Sequence, residues 1–154
     1  MTAKTHHYWM EKAQEQAVLA EKAGEVPVGA IVVYQDKIVG RGYNQPIQHH
    51  NPTLHAEIVA IHDAGLALCN YRLPGTTLYV TLEPCLMCVG AMVHARIKQL
   101  VFGAKDPKSG AAGTVLDGFS LPGLNHRVQV AGGVMSDECS AQLKRYFKAR
   151  RKLG

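Results

Sequence analysis

No apolar run in this 154-residue chain reaches the length of about 18 residues that a membrane-spanning helix needs. The opening stretch, Met1-Thr2-Ala3-Lys4-Thr5-His6-His7-Tyr8, lacks the apolar segment of a secretory signal. These two absences predict a cytoplasmic protein with no membrane partner. Cysteine is scarce: Cys69, Cys85, Cys88 and Cys139 are the four. A disulfide framework belongs to small secreted chains. In a cytoplasmic chain the Cys85-x-x-Cys88 pair suits metal or redox chemistry, and Cys69 and Cys139 read as small apolar fillers. Internal repeats, linkers and low-complexity tracts are missing too. With 47% hydrophobic and 19% charged residues, the composition excludes intrinsic disorder. The length predicts one domain spanning residues 1–154, with a core of its own.

The periodicities predict nine elements in the order α-β-β-α-β-α-β-β-α. Helical spacing of Trp9, Ala13, Ala17 and Ala20 predicts a helix from Thr5 to Ala23, stopped by Gly24. Ala30–Tyr34 and Ile38–Tyr43 read as a hairpin turning at Gln35-Asp36-Lys37. A helix is expected from about Thr53 to Leu68, after Asn51 and Pro52. Thr76–Thr81 reads as a strand, Pro84 to Ala95 as a helix, and Gln99–Gly103 and Arg127–Val130 as strands. Ser136 is suited to cap a last helix. Helices alternating with short strands predict α/β layers around a buried sheet.

The net charge is +5, and six of the 17 basic residues cluster at the end: Lys144, Arg145, Lys148, Arg150, Arg151 and Lys152. Such a cluster suits a polyanionic partner. It equally suits the last turns of a helix, where cations meet the negative end of the dipole. Taken alone, the run leaves both readings open.

The densest chemistry lies in His55-Ala56-Glu57 and in Pro84-Cys85-Leu86-Met87-Cys88. One imidazole and two thiols supply three zinc donors. A structural zinc site is usually closed by four protein donors, whereas a catalytic one keeps a position for water. Zinc lowers the pKa of that water to about 7. Three donors therefore point to an open site, with Glu57 outside it as proton shuttle. Cys85 and Cys88 are three apart, so one helical turn presents both thiols on one side, and a first turn favours thiolate. On a regular helix His55 and Glu57 diverge by about 200°, which separates metal binding from proton transfer. Neither motif decides alone. His-x-Glu is usually a solvated helix face, and Cys-x-x-Cys is also a filler pair or a redox dithiol. The combination decides, because a dithiol gives His55 and Glu57 no role.

The pattern H-x-E…P-C-x-x-C is a general signature of zinc nucleobase deaminases. Nearly the whole chain resembles the bacterial tRNA-specific adenosine deaminases, within the cytidine-deaminase-like superfamily. Besides the two motifs, the resemblance is carried by the runs Glu25–Ala30, Gly42-Tyr43-Asn44, Asn70–Leu73, Thr81–Cys88, Phe102–Asp106, Gly110–Gly113 and Asn125–Arg127. The two motifs are shared with cytosine, cytidylate and guanine deaminases. The loop Lys105–Gly113 and the basic end narrow the likeness to the tRNA enzymes.

This resemblance implies a three-layer α/β/α sandwich with a central mixed sheet of about five strands. It implies a homodimer with one Zn²⁺ per subunit that deaminates adenosine to inosine at the wobble position of a tRNA anticodon stem-loop. His55, Cys85 and Cys88 match the zinc ligands and Glu57 the proton shuttle. Asn44 matches a residue that hydrogen-bonds the target base, and Asp106 an acid beside the flipped nucleotide. Read from their neighbours alone, Asn44 is a loop residue after a strand and Asp106 a turn residue before Pro107. Tyr43 and Pro107 depart from the family pattern.

The implied reaction is hydrolytic: attack at C6 of adenine, a proton delivered by Glu57 to N1, and loss of ammonia. Anticodon bases are unpaired, which lowers the cost of extruding one. Two other readings stand beside it. A deaminase of a small base or nucleotide would not need a folded stem-loop. A non-catalytic, zinc-stabilised RNA-binding module would want a fourth protein ligand, from Cys69 or Cys139.

Overall fold

The computed structural model describes residues 4–153; Met1–Ala3, the front of the N-terminal stretch read above, and Gly154 lie outside the described residues. The nine expected elements occur in the expected order. They are α1 (His6–Lys22), β1 (Gly29–Tyr34), β2 (Lys37–Tyr43), α2 (Ala56–Leu68), β3 (Thr77–Leu82), α3 (Leu86–His94), β4 (Gln99–Ala104), β5 (Gln129–Ala131) and α4 (Ser136–Leu153). A single 3₁₀ turn, Gly118–Ser120, has no counterpart in the sequence reading.

The strands form one mixed five-stranded sheet in the order β2-β1-β3-β4-β5. β1 is antiparallel to β2 and β3, while β4 runs parallel to β3 and β5. Alternation along the strands splits the core in two. Ala30, Val32, Leu78, Val80 and Leu100 face Ala56, Ala60, Ala64 and Met92 of α2 and α3. Ile31, Val33, Tyr79 and Val101 face Trp9, Met10 and Ala13 of α1 and Cys139 of α4. Helices thus cover both faces, giving the three-layer α/β/α sandwich.

Element starts differ from expectation in informative places. α2 begins at Ala56, not Thr53, because the Asn51 side chain accepts from both the Thr53 amide and hydroxyl and turns the chain. α3 begins at Leu86, not Pro84, with Cys85 extended in front of it. Gln35 and Asp36 alone make the hairpin turn, both at positive φ, and Lys37 already pairs with Tyr34. β5 starts at Gln129, whose partner Gln99 is the first residue of β4, so Arg127 and Val128 have no strand to pair with. Ser136 is the first residue of α4 and does not precede it.

Two close approaches fix α2. A methyl group at Gly42 would run into the Ala56 carbonyl and the Ala60 amide; one at Gly40 would meet those of Ala60 and Ala64. Alanines on the helix and glycines on the strand let the two backbones touch. The sheet's topology then does the rest. Asn44 follows β2, Val28 precedes β1, Glu83 follows β3 and Lys105 follows β4. Strand directions bring all four to one end of the sheet, where α2 and α3 begin.

Gly42→Ala is therefore expected to cost about 1–3 kcal/mol by overpacking, since helix backbone cannot rotate away as a side chain can. Denaturant unfolding measures it; a loss below about 0.5 kcal/mol would mean that α2 is free to shift.

Candidate metal centre

Two helix N-caps carry this site. His55 caps α2 and Cys85 caps α3, both with extended backbone, and neither side chain bonds its own helix's free amides. A cap residue normally spends its side chain there. Here both side chains turn towards a common point, joined by Cys88 from the first turn of α3. The angular argument for a regular helix does not apply to His55, because it stands in front of the helix. His55 Nδ1 lies 3.5 Å from Cys85 Sγ and 3.6 Å from Cys88 Sγ. Tetrahedral zinc with Zn–N and Zn–S bonds of about 2.0 and 2.3 Å needs N···S edges of about 3.5 Å. The three donor atoms all lie within 4.8 Å of one another, so the donor set fits one zinc. Among the described residues no fourth thiol joins them. Cys139 is buried in the core on the far face of the sheet. Cys69 overturns the filler reading: it is exposed, at the end of α2, with φ +53°.

The thiols are strongly differentiated. The hydrogen bond from Cys88, then that from His55, outweigh desolvation and bring the Cys85 thiol down to about 4. The same bond to Cys85, with burial, drives Cys88 upward. The Cys85 contact also raises His55. Cys85 is thus the donor most ready to bind as thiolate, the form a zinc ligand takes.

Glu57, the second residue of α2, is buried, and desolvation lifts its carboxyl to about 7 against its own backbone amide and His55. It lines a cavity of about 170 Å³ together with Asn44, His55, Glu83, Cys85 and Asp106. Val26, Val28 and Leu82 form the cavity's apolar side. A larger groove of about 580 Å³ is lined by Ala112 and by residues between Asp117 and Val130, and none of the three metal-binding residues lines it.

Glu83 is a second buried carboxylate beside the first. Desolvation would raise it, but hydrogen bonds from Thr114, Asp106 and Ala112 together hold it below the usual range. Oε1 accepts from the Asp106 amide (3.1 Å) and the Thr114 hydroxyl. Oε2 accepts from the amides of Ala112 (2.9 Å) and Thr114 (3.1 Å). Its acceptor positions are filled, so Glu83 stays ionised while Glu57 is free to exchange protons. Two carboxylates with opposed environments take different roles.

The cytidine and deoxycytidylate deaminase zinc-binding region matches residues 3–104, which include His55, Glu57, Cys85 and Cys88. A tRNA-specific adenosine deaminase of Haemophilus influenzae is 48% identical over 92% of this chain and 83% of its own. The chain belongs to the tRNA-specific adenosine deaminase family. A structure from work on A-to-I editing by tRNA deaminases at the wobble position is similar with TM-score 0.85 and 41% identity, over 88% of this chain and 98% of its own. A guanine deaminase of Nitrosomonas europaea shares the fold, with TM-score 0.81 at 22% identity over 95% and 86% of the two chains. The zinc-binding deaminase domain, with its His/Cys/Cys group, accounts for one zinc per subunit.

The remaining residues singled out from sequence, Asn44 and Asp106, line the same cavity. Asn44 Oδ1 accepts from the Ala56 amide at 2.9 Å. That bond fixes the orientation of the side-chain amide and leaves its NH₂ to donate. Asp106 Oδ1 accepts from the amides of Lys108 (2.9 Å) and Ser109 (3.2 Å), a turn role. Sequence reasoning missed Glu83 and Glu25. Glu25 is buried and accepts from the amides of Ile47 (3.2 Å) and Gln48 (2.7 Å), anchoring the loop after Asn44. Both lie inside runs that carry the family likeness, but nothing in the sequence marks either as buried.

Asn44→Asp keeps an acceptor for the Ala56 amide, whereas Asn44→Ala leaves that helix-end donor bare. Stability is expected to fall by about 1 kcal/mol in the alanine variant and by less than half of that in the aspartate variant. Equal losses in thermal unfolding would show that the cap contributes nothing.

Proposed function

We propose that this protein is a zinc-dependent hydrolytic deaminase that converts adenosine to inosine at the wobble position of a tRNA anticodon. The observation that carries the reading is the convergence of His55, Cys85 and Cys88 beside buried Glu57. It occurs in a chain 48% identical to a tRNA-specific adenosine deaminase. In this reading His55, Cys85 and Cys88 hold the zinc. Zinc bound there supplies Lewis acidity that makes a water acidic near pH 7.

Glu57 works on the protons. A nearby dication favours its carboxylate form, so it begins ready to accept a proton at one oxygen. The water-excluding pocket, which raises Glu57, lets the carboxyl hold that proton near neutral pH until N1 of the purine takes it; the carboxylate can then serve the leaving amine. The Asn44 NH₂ donates to the base. Asp106 has its second oxygen left for a ribose hydroxyl, a group that separates RNA from DNA.

The polyanion binds the basic end. Lys144, Arg145, Lys148, Arg150, Arg151 and Lys152 are all exposed on α4, and Arg150 lies over the Tyr146 ring at 5.5 Å. The enzyme acts as a homodimer of single-domain chains in the cytoplasm, where its tRNA is. No helix among the described residues is long and apolar enough to cross a membrane.

The deciding experiment incubates the protein with an arginine tRNA anticodon stem-loop carrying adenosine at the wobble position and looks for inosine. Glu57→Ala should lose at least about 10²–10⁴-fold in rate while keeping zinc and RNA binding. Near wild-type turnover in that variant would remove Glu57 from the mechanism. Activity on free bases without any stem-loop requirement would favour a small-base deaminase.

Metal analysis tests the ligand set separately. Cys85→Ala should lose most of its zinc and Cys139→Ala should keep it. Equal loss would argue for a closed site recruiting a fourth cysteine.

A further inference from the structure

Glu83 is the one buried carboxylate in the cavity wall to which the proposed reaction gives no task. Its four hydrogen bonds all go to one segment, Asp106 to Thr114. That segment has no strand or helix of its own. It carries Asp106 and Ser109, which form one wall of the cavity. Gly110 sits against the same carboxylate: a methyl group there would collide with Glu83 Oε1 and with the Asp106 carbonyl. The segment is therefore wrapped around an anion, tightly enough that one position tolerates no side chain. A second tie, from the Ala111 amide to the Pro84 carbonyl at 2.9 Å, fastens it next to Cys85.

We propose that Glu83 is a positioning residue for the deamination, a fixed anion that holds the Asp106–Thr114 segment as the substrate wall of the pocket. The inference rests on the proposed function for its activity readout. Charge is essential to it. Amides and a hydroxyl converge on the carboxylate, and charge-assisted bonds are roughly twice as strong as neutral ones. A neutral amide in the same place would turn an NH₂ towards amide donors and leave at least one of them bare. Glu83 is one residue from Pro84 and two from Cys85, so the anchor ties the wall to the chain that carries the thiols. Placement of a substrate wall acts on the fraction of bound complexes that are productive, and an error of about 1 Å can cost about 10²-fold in rate. RNA affinity comes mainly from phosphate contacts elsewhere, so it should hardly change.

The test compares wild type, Glu83→Gln, Thr114→Val and Gly110→Ala. Each is assayed for zinc content, stem-loop Kd, single-turnover rate and amide hydrogen exchange. In Glu83→Gln we expect a rate about 10- to 100-fold lower, with zinc and Kd within about 3-fold of wild type. Exchange at Asp106, Ala112 and Thr114 should rise at least about 10-fold while the β3 and β4 amides stay protected. Thr114→Val, which removes one bond and keeps the shape, should show the same pattern at smaller size. Gly110→Ala should show it through steric displacement, with the charge intact. Unchanged rates in Glu83→Gln and Thr114→Val would overturn the proposal. So would a rate loss that only tracks lost zinc, or unchanged exchange in the segment. Wild-type protein that yields no inosine would overturn the functional reading instead, while the exchange data would still decide whether Glu83 anchors the segment.

Discussion

Two helices point their N-termini at one spot, and that opposition governs the rest of the site. Each helix end carries about half a positive charge, so α2 and α3 meeting head to head would repel. A zinc dication adds to the problem before anything offsets it. Thiolates at Cys85 and Cys88 and a carboxylate at Glu57 would bring the sum close to zero: about +2 and +1 against −2 and −1. Hydrogen bonds from Cys88 and His55 hold the Cys85 thiol low and so favour its thiolate at this spot. Backbone packing holds the two helices in place against it. The Gly40 and Gly42 contacts lock α2 onto β2, and α3 is the crossover between parallel β3 and β4.

The same end of the sheet uses three buried carboxylates in three ways. At Glu57 desolvation outweighs the hydrogen bonds from its own backbone amide and Cys88, and the carboxyl rises to about 7. Glu83 is saturated with donors and falls. Glu25 ties down the loop after Asn44. Hence one carboxyl is left mobile in its protonation while two others hold the rims of its pocket. Asn44 links these parts, since its carbonyl oxygen caps α2 directly in front of Glu57 while its amide hydrogens remain for a ligand.

Much of this was legible in the residues, with identifiable limits. The order of elements followed from periodicity and turn residues. The presence of one zinc per subunit followed from donor chemistry and spacing, and the family from whole runs of sequence. Errors gathered where a side chain overrode local propensity. Asn51 captured Thr53 and delayed α2, and Cys85 stood outside α3 as its cap. Cys69 departs from the filler reading because residue type predicts average burial, not the exposed left-handed end of a particular helix. Glu83 and Glu25 escaped notice because a glutamate's partners here are backbone amides, and backbone amides have no letter in a sequence.

The sequence alone determined the inventory: which atoms can bind zinc, which carboxylate lies close enough in the chain to serve it, and which alternation makes a covered sheet. These are local or compositional properties, written within a few residues of each other. Tertiary structure decided what each group is free to do. It put His55 and Cys85 in front of their helices, buried Glu57 deeply enough that desolvation outweighs its hydrogen bonds, filled every acceptor position of Glu83, and gave one oxygen of Asp106 to a turn. Freedom to ionise, donate or move depends on desolvation and on partners far away in the chain. Only the folded arrangement of the sheet's end supplies them.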